Sequence, residues 1–428
     1  MILFSVLFFV IAFITEPRKL NPLTLFLFEW IVIVFLAERH LFGLFETSEQ
    51  TFSIIFLGTV MYVIGFYIMK IIYGIFKSKQ IKFSRANFDL NLPVIKLLSI
   101  ITIIYFSVDF INSLVYLMQG QSLNYIRQLA QKGALFSNPI MNAIRIIVTA
   151  PFSLALTSIV TANFFSKKRN NFLLISIILI LIFRLFSDGG RSPIVYLAIS
   201  FIISYFYSNN EEKIENKALA TKKKFSIRIG RNQIIFLGII IATLVSLYFI
   251  TLSRSGDDSL RYTYYYFAMQ PIMFEKWANY ISSKGLIAYG MSSFNGILFP
   301  IFYLLANFIP SIGYLPTWRT VYDTIELLGT QWLVITNYGT TANSYVSIFW
   351  SLFFDFRLPG VVIGMMLVGL IVGYSYQKVL DNPTQRNIAI YSMIMIGVFY
   401  SFQQLITQNI YWMTGFLMLL FIAYKKER

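Results

Sequence analysis

The chain contains no cysteine and one histidine, His40. Disulfides, thiol catalysis, thiolate metal sites and histidine metal clusters are therefore excluded, and His40, at the outer end of an apolar run, reads as an interfacial residue rather than a base. No Walker-type glycine-rich phosphate loop and no His-Glu-x-x-His motif occurs, so an ATPase and a zinc protease have no support. Charge is scarce: Asp, Glu, Lys and Arg make up 13% of 428 residues. What remains is apolar, with 57% hydrophobic residues, 18% aromatics and a mean hydropathy of +0.68. That is far too apolar for a soluble fold.

The apolar runs are continuous, and only helices or closed barrels satisfy the backbone in hydrocarbon. The expected fold is an all-α polytopic membrane protein, a single integral membrane domain over 1–428. Met1 to Thr15 lacks a basic leader and is followed by Arg18 and Lys19, the reverse of a cleavable signal peptide. The net charge of +16 sits in short loops between the runs. It therefore reports orientation and does not imply nucleic acid. Placing the basic loops inside puts the N-terminus outside and the C-terminus in the cytoplasm. The expected spans are 1–15, 23–36, 52–75, 93–118, 140–165, 172–186, 194–207, 234–252, 359–376, 387–406 and 411–424. The total is about eleven, or thirteen if 297–309 and 341–354 also cross. Residues 253–357 break the rhythm with Gly290, Gly296, Pro300, Pro310 and Pro316. They are expected to form one large external segment with short or re-entrant helices.

The most unusual stretch is Arg184-Leu-Phe-Ser-Asp188-Gly189-Gly190-Arg191-Ser192-Pro193, with three charges between two apolar runs. Ionisable groups there mark a substrate path or a buried pair. Arg184 and Asp188 share a helix face and can pair, so they either brace the turn or take part in function. Gly189 and Gly190 allow a sharp turn, which leaves Arg191 beside the next helix N-terminus as an anion-binding group.

Arg254 and Arg261 are seven apart and share a face if helical, a second anion contact. Asp257 and Asp258 lack a third ligand and read as a solvated loop, so no metal is expected. The run Tyr262, Tyr264, Tyr265, Tyr266 and Phe267 suits stacking on sugar rings and interfacial anchoring equally. Arg319, Asp323 and Glu326 sit at helical spacing, as a surface salt bridge or as a base beside a cation. Asp355, ahead of a late span, is another candidate base.

The chain resembles the oligosaccharide repeat unit polymerases of the Wzy, or O-antigen polymerase, type. The likeness lies in Asp188-Gly-Gly-Arg191-Ser-Pro after an outward span and in Ser122-Leu-Asn-Tyr-Ile-Arg127 in an earlier outer loop. Asn343-Ser-Tyr345 with Asp355-Phe-Arg-Leu-Pro-Gly360 before the last three spans completes it. Where that family usually has Asp-Phe-Gly, this chain has Asp355-Phe356-Arg357. The resemblance implies transfer of a growing glycan from undecaprenyl diphosphate to the non-reducing end of another lipid-linked repeat unit, at the outer face of a bacterial inner membrane. It implies no cofactor, and as partners lipid-linked oligosaccharides, the bilayer and a chain-length regulator protein.

Such chemistry needs charge stabilisation of a departing diphosphate, which arginines supply, and a base for the attacking hydroxyl. Arg191 and Arg254 are assigned to the diphosphate, with Arg127, Arg261 and Arg319 as lesser candidates. Asp323, Glu326 or Asp355 is the base, and Tyr264, Tyr265 and Tyr345 contact glycan. Two rivals are a lipid-linked oligosaccharide flippase, which is expected to have evenly short loops, and an O-antigen ligase-like transferase, which usually carries a histidine in its large loop.

Overall fold

The computed structural model describes residues 2–78, 88–121, 125–126, 129, 139–166, 169–188, 192–208, 259–308 and 315–426. It is 79% helical. Among the described residues four helices are long and apolar enough to cross a membrane: Glu49–Lys77, Leu92–Met118, Ile140–Phe164 and Ser347–Asp381. Six shorter apolar helices of 10–17 residues accompany them among the described residues. The expected span 234–252 lies outside the described residues. The surface is inverted relative to a soluble protein. Along Leu92–Met118, Leu97, Ile104 and Ile111 are exposed, whereas Ser99, Thr102, Asp109 and Ser113 are fully buried. Apolar side chains outward and polar ones inward is the arrangement expected of a helix solvated by lipid.

The chain divides into two compact units. The first comprises Met1–Phe83, Ser255–Gln377 and Gly397–Met413. It contains α1 (Ile2–Thr15), α2 (Pro22–Ala37) and α3 (Glu49–Ser78). Asn21 caps α2 by accepting the Thr24 amide at 2.9 Å, with Pro22 in the first turn, where its missing amide costs nothing. The start of α3 is held by Glu275, whose Oε2 accepts the Ser48 amide (2.7 Å), the Ser48 hydroxyl (2.8 Å) and the Thr51 hydroxyl (3.0 Å).

α3 runs parallel to the long helix Ser347–Asp381, and glycine sets their closeness. A Cβ on Gly65 would stand 2.2 Å from the Met366 carbonyl oxygen, and one on Gly369 would stand 2.3 Å from that of Tyr62. Gly373, one turn on, faces Phe66. Small residues that let backbones touch are the usual means of helix association in lipid.

Ser347–Asp381 differs from the expected span 359–376. It starts twelve residues earlier and is broken inside, at Phe356 (φ −146°, ψ 26°) and Arg357 (φ 57°, ψ −142°). The cause is local. Pro359 has no amide to donate, its ring conflicts with the carbonyl one turn back, and it disfavours helix at Leu358. The carbonyls freed by the break are taken by a loop, with Ala288 N donating to Phe354 O (2.9 Å) and Tyr289 N to Asp355 O (3.1 Å).

The expected span 387–406 is also shorter as a helix, ending at Phe399. The polar run that follows ties instead to the start of Ser347–Asp381. Ile348 N donates to Ser401 O (2.7 Å) and Ser347 N to Gln403 O (3.1 Å).

The second unit comprises Ser84–Arg254, Lys378–Ile396 and Thr414–Arg428. Its elements include β1 (Phe88–Leu90), α4 (Leu92–Met118), α5 (Pro139–Ile144), a π turn (Arg145–Thr149), α6 (Ala150–Phe164), α7 (Asn171–Asp188) and α8 (Ser192–Ser208). α4 and α7 are parallel, with Lys96 over the Phe172 ring at one end and Phe110 against Phe183 at the other. α6 and α8 are parallel too, joined by Ser158 to Ser200 (3.2 Å) and Ser204 to Thr161 (3.1 Å). α6 is buried along its whole length. β1 pairs antiparallel with the late strand Tyr424–Lys426.

Candidate functional site

In the first unit the expected external segment folds as four helices and a hairpin. These are α9 (Ser259–Ala268), α10 (Gln270–Ser283), α11 (Asn295–Phe308), α12 (Pro316–Thr330), and β2 (Leu333–Val334) paired with β3 (Thr341–Ala342). α9 separates the tyrosine run into two faces. Tyr264 and Tyr265 are buried. The Tyr264 hydroxyl donates to Leu36 O and accepts the Leu41 amide, each at 2.9 Å, and the Tyr265 hydroxyl donates to Phe42 O at 2.7 Å. Burial raises both phenols above their ordinary pKa. These two residues, expected at a glycan, instead pin α9 to the turn after α2, where His40 takes a left-handed conformation.

The exposed tyrosines of the run are Tyr262 and Tyr266, four apart on one helix face. Tyr266 meets Tyr345 edge-on at 5.2 Å, and Tyr345 stacks on Phe402 at 6.0 Å. The Arg261 guanidinium lies over the Tyr262 ring at 5.6 Å. Of the three glycan-contact expectations, Tyr345, partly buried, is therefore the one that meets an exposed ring of the run. Of its partners, Tyr266 belongs to the run that the sequence marks for sugar stacking, and Phe402 was not singled out.

α12 is amphipathic, burying Trp318, Val321, Thr324 and Leu328. Arg319 and Asp323 form an ion pair at 2.9 Å with side chains 45% and 48% exposed, and Glu326 is exposed one turn on. The strap after β3 docks on the end of this helix. Asn343 Nδ2 donates to Gly329 O (2.6 Å) and Ser344 N to Leu328 O (2.8 Å), which delivers Tyr345 to the aromatic face. The helix with two acceptor-type carboxylates and the ring cluster thus meet through three consecutive residues.

Asp355 is placed otherwise. It is 3% exposed. Its Oδ1 accepts the Ser292 amide and its Oδ2 the Ser293 amide, both at 3.0 Å, and Oδ2 also takes the Ser293 hydroxyl. Arg357, beyond the break, donates to the carbonyls of Ile281 (3.2 Å) and Leu286, at the end of α10. Gln408 donates to the Ser292 hydroxyl at 2.9 Å, and Thr407 to Ser293 O at 2.7 Å. With both oxygens engaged in a buried clamp, the expectation of Asp355 as a base is corrected to a structural role: it holds the 288–293 loop on the helix break. Pro359 was the legible sign of that break.

In the second unit, Arg184 leaves its own helix to donate to Ser153 Oγ on α6 at 2.8 Å, and it lies 5.3 Å from the Phe106 ring of α4. Asp188 closes α7. Its side chain, Gly189, Gly190, Arg191, Arg127 and Arg254 lie outside the described residues. No group of three or more His, Cys, Asp or Glu suited to a metal occurs among the described residues. No family model, no curated protein and no solved structure matches this chain.

Proposed function

We propose that this protein is a Wzy-type polymerase, a membrane glycosyltransferase that moves a growing glycan from undecaprenyl diphosphate onto another lipid-linked repeat unit. One observation carries the reading: the exposed rings of Tyr262 and Tyr266, with the partly buried Tyr345 against Tyr266, are joined through the Asn343–Tyr345 strap to a helix carrying the exposed carboxylates Asp323 and Glu326. Rings of that kind stack on pyranoses, and an exposed carboxylate is the group able to take a proton from a sugar hydroxyl. Glu326 is the base of choice, since Asp323 is paired with Arg319. Arg191 and Arg254 are assigned to the diphosphate, with Arg127, Arg261 and Arg319 as lesser contacts, because a guanidinium binds phosphoryl oxygens bidentately.

The proposal includes about eleven spans in a bacterial inner membrane, with the N-terminus outside. It is supported by helix direction within each unit. α3 runs parallel to Ser347–Asp381, α4 to α7 and α6 to α8, as the expected alternation of spans requires. The test is a glycan gel from a strain lacking the chain, where single capped repeats are expected in place of a ladder. Complementation with Glu326→Gln or Arg191→Lys is expected to leave the single repeats. A full ladder from well-inserted Arg191→Ala protein refutes the assignment of Arg191.

A further inference from the structure

The turn after α2 carries an apolar surface that the proposed chemistry does not use. On α2 itself Phe28 and Phe35 are exposed, two turns apart on the face that meets lipid. Arg39 ends that face. Its guanidinium lies back over the Phe35 ring at 4.5 Å, the posture of a long cation that lays its stem on apolar surface and keeps its head among lipid headgroups. Arg39 therefore marks the height at which hydrocarbon gives way to headgroups.

Beyond Arg39 the chain curls instead of climbing. His40, Phe42 and Gly43 all have positive φ, and Leu44 N donates to Leu41 O at 3.3 Å. Four fully extended residues reach at most about 14 Å, and this turn is far from extended, while the headgroup layer is about 5–8 Å deep. Leu41 and Phe42, both exposed, accordingly stay within or beside that layer. Phe42 is also strained: φ 54° and ψ 32° suit glycine and are unfavourable for a bulky residue. Its ring meets Tyr264 edge-on at 5.5 Å, yet the residue remains 46% exposed. The protein's own core accounts for little of that ring.

The β2–β3 hairpin, from far along the chain, brings a second ring to the same place. It docks on the turn through Phe45 N to Ile335 O (3.0 Å) and Asn337 N to Gly43 O (2.9 Å). Tyr338 then lies across Gly43. A Cβ on that glycine would stand 2.6 Å from Tyr338 Cε2 and 2.9 Å from Cδ2, so the absence of a side chain is what admits the ring. Even so, Tyr338 is 78% exposed, more than any other aromatic residue among the described residues.

We infer that Leu41, Phe42 and Tyr338 form a seat that rests in the phospholipid headgroup layer, continuing the lipid-facing side of α2 onto the hairpin. Aromatic rings at that height are the usual anchors of a membrane protein. Glu38, Arg39, Glu46 and Lys276, whose ammonium lies 5.0 Å from the Phe45 ring, flank the seat with no excess of either sign. Rings rather than charge hold it, and anionic lipid is not required. β3 runs directly into the Asn343–Tyr345 strap, so the seat sets the height of that strap at the membrane surface. None of this rests on the polymerase reading.

The test places one thiol in the cysteine-free full chain, Asn337→Cys beside Tyr338, and labels it with bimane in nanodiscs that hold a single copy. Quenching is compared for iodide in the water and for phosphatidylcholine carrying a nitroxide at the headgroup or at the end of the acyl chain. Headgroup quenching is expected to exceed each of the others at least threefold, equally with and without phosphatidylglycerol. Phe42→Gly together with Tyr338→Ser is expected to lower it at least threefold without lowering the melting midpoint in detergent, because glycine relieves the turn. Strongest quenching by iodide or by the acyl-end nitroxide overturns the inference. So does headgroup quenching that requires phosphatidylglycerol, shielding from iodide that appears only with two copies per disc, or headgroup quenching unchanged in the double variant. If the double variant melts lower, Tyr338→Ser alone carries the same criterion; if Asn337→Cys fails to fold, Thr341→Cys takes the label.

Discussion

Replacing Asp355 with alanine discriminates a clamp from a base. The wild-type carboxylate receives two buried amides at 3.0 Å and one hydroxyl. Each buried donor left without an acceptor costs about 1–3 kcal/mol. The Ser293 hydroxyl can rotate to another acceptor, so the two amides dominate and the loss is about 2–6 kcal/mol. At roughly 2–4 °C per kcal/mol for a unit of about 200 residues, the unfolding midpoint should fall by roughly 4–24 °C. Asp355→Asn keeps one acceptor oxygen but points an NH2 at a donor, so it should lie between. The cysteine-free chain offers a second readout, because a cysteine at Ser292, which is fully buried, is the sole thiol. It should resist maleimide in the parent and react once Asp355→Ala frees the loop. A wild-type midpoint together with a protected thiol in the alanine variant refutes the clamp. A normally folded Asp355→Asn protein that makes no polymer returns this residue to catalysis.

Gly369→Leu places a side chain where even a Cβ would stand 2.3 Å from the Tyr62 carbonyl, so the backbones of α3 and its partner must part. The expected cost is about 1–3 kcal/mol, read as faster proteolysis in membranes. Arg319→Gln breaks a half-exposed ion pair and should change stability by less than about 1 kcal/mol, so a lost ladder with an unchanged melting curve reports function. Tyr264→Phe removes a hydroxyl bonded on both sides and should destabilise by about 1–3 kcal/mol. Because the folded state holds this phenol above its unfolded pKa of about 10, its contribution is full below that pH and declines as pH rises through the folded value. Alkaline melting curves should therefore be flatter in Tyr264→Phe, and an identical slope in both proteins argues against the burial of Tyr264.

Much of the architecture was legible because lipid leaves a one-dimensional trace. The long apolar helices Glu49–Lys77 and Leu92–Met118 stand where continuous apolar runs place them. Length was harder. Pro359 announced a boundary, and the expected span began there, yet the helix continues on the other side because the 288–293 loop supplies the donors that the break leaves unanswered. No pattern within either segment reveals that they meet, for the partners are about 65 residues apart in sequence. The end of the helix Gln385–Phe399 is a similar case. Ser401 and Gln403 are polar enough to suggest a stop, but their carbonyls settle the matter by accepting amides from the start of another helix.

The tyrosine run shows why composition alone did not separate its buried rings from its exposed ones. In Tyr262-Thr-Tyr-Tyr-Tyr-Phe267 nearly every position is aromatic, so helical periodicity carries no contrast between the two faces. The choice is made at the end of α2 and in the turn after it, where Leu36 O, which also accepts the Arg39 amide, takes the Tyr264 hydroxyl and Phe42 O takes that of Tyr265. A carbonyl in an apolar setting binds a phenol more tightly than water-exposed sugar does, because leaving it unmet costs the full desolvation penalty. Tyr262 and Tyr266 are released to the surface by that same demand. The aromatic face is therefore a consequence of how α9 satisfies backbone elsewhere. The separation is testable: Tyr266→Ala and Tyr345→Ala should shorten the ladder while leaving the melting curve within about 1 kcal/mol of wild type, whereas Tyr264→Phe should lower the melting curve first. Equal thermal loss in all three variants would mean that the exposed rings are structural, and would remove the observation on which the polymerase reading rests.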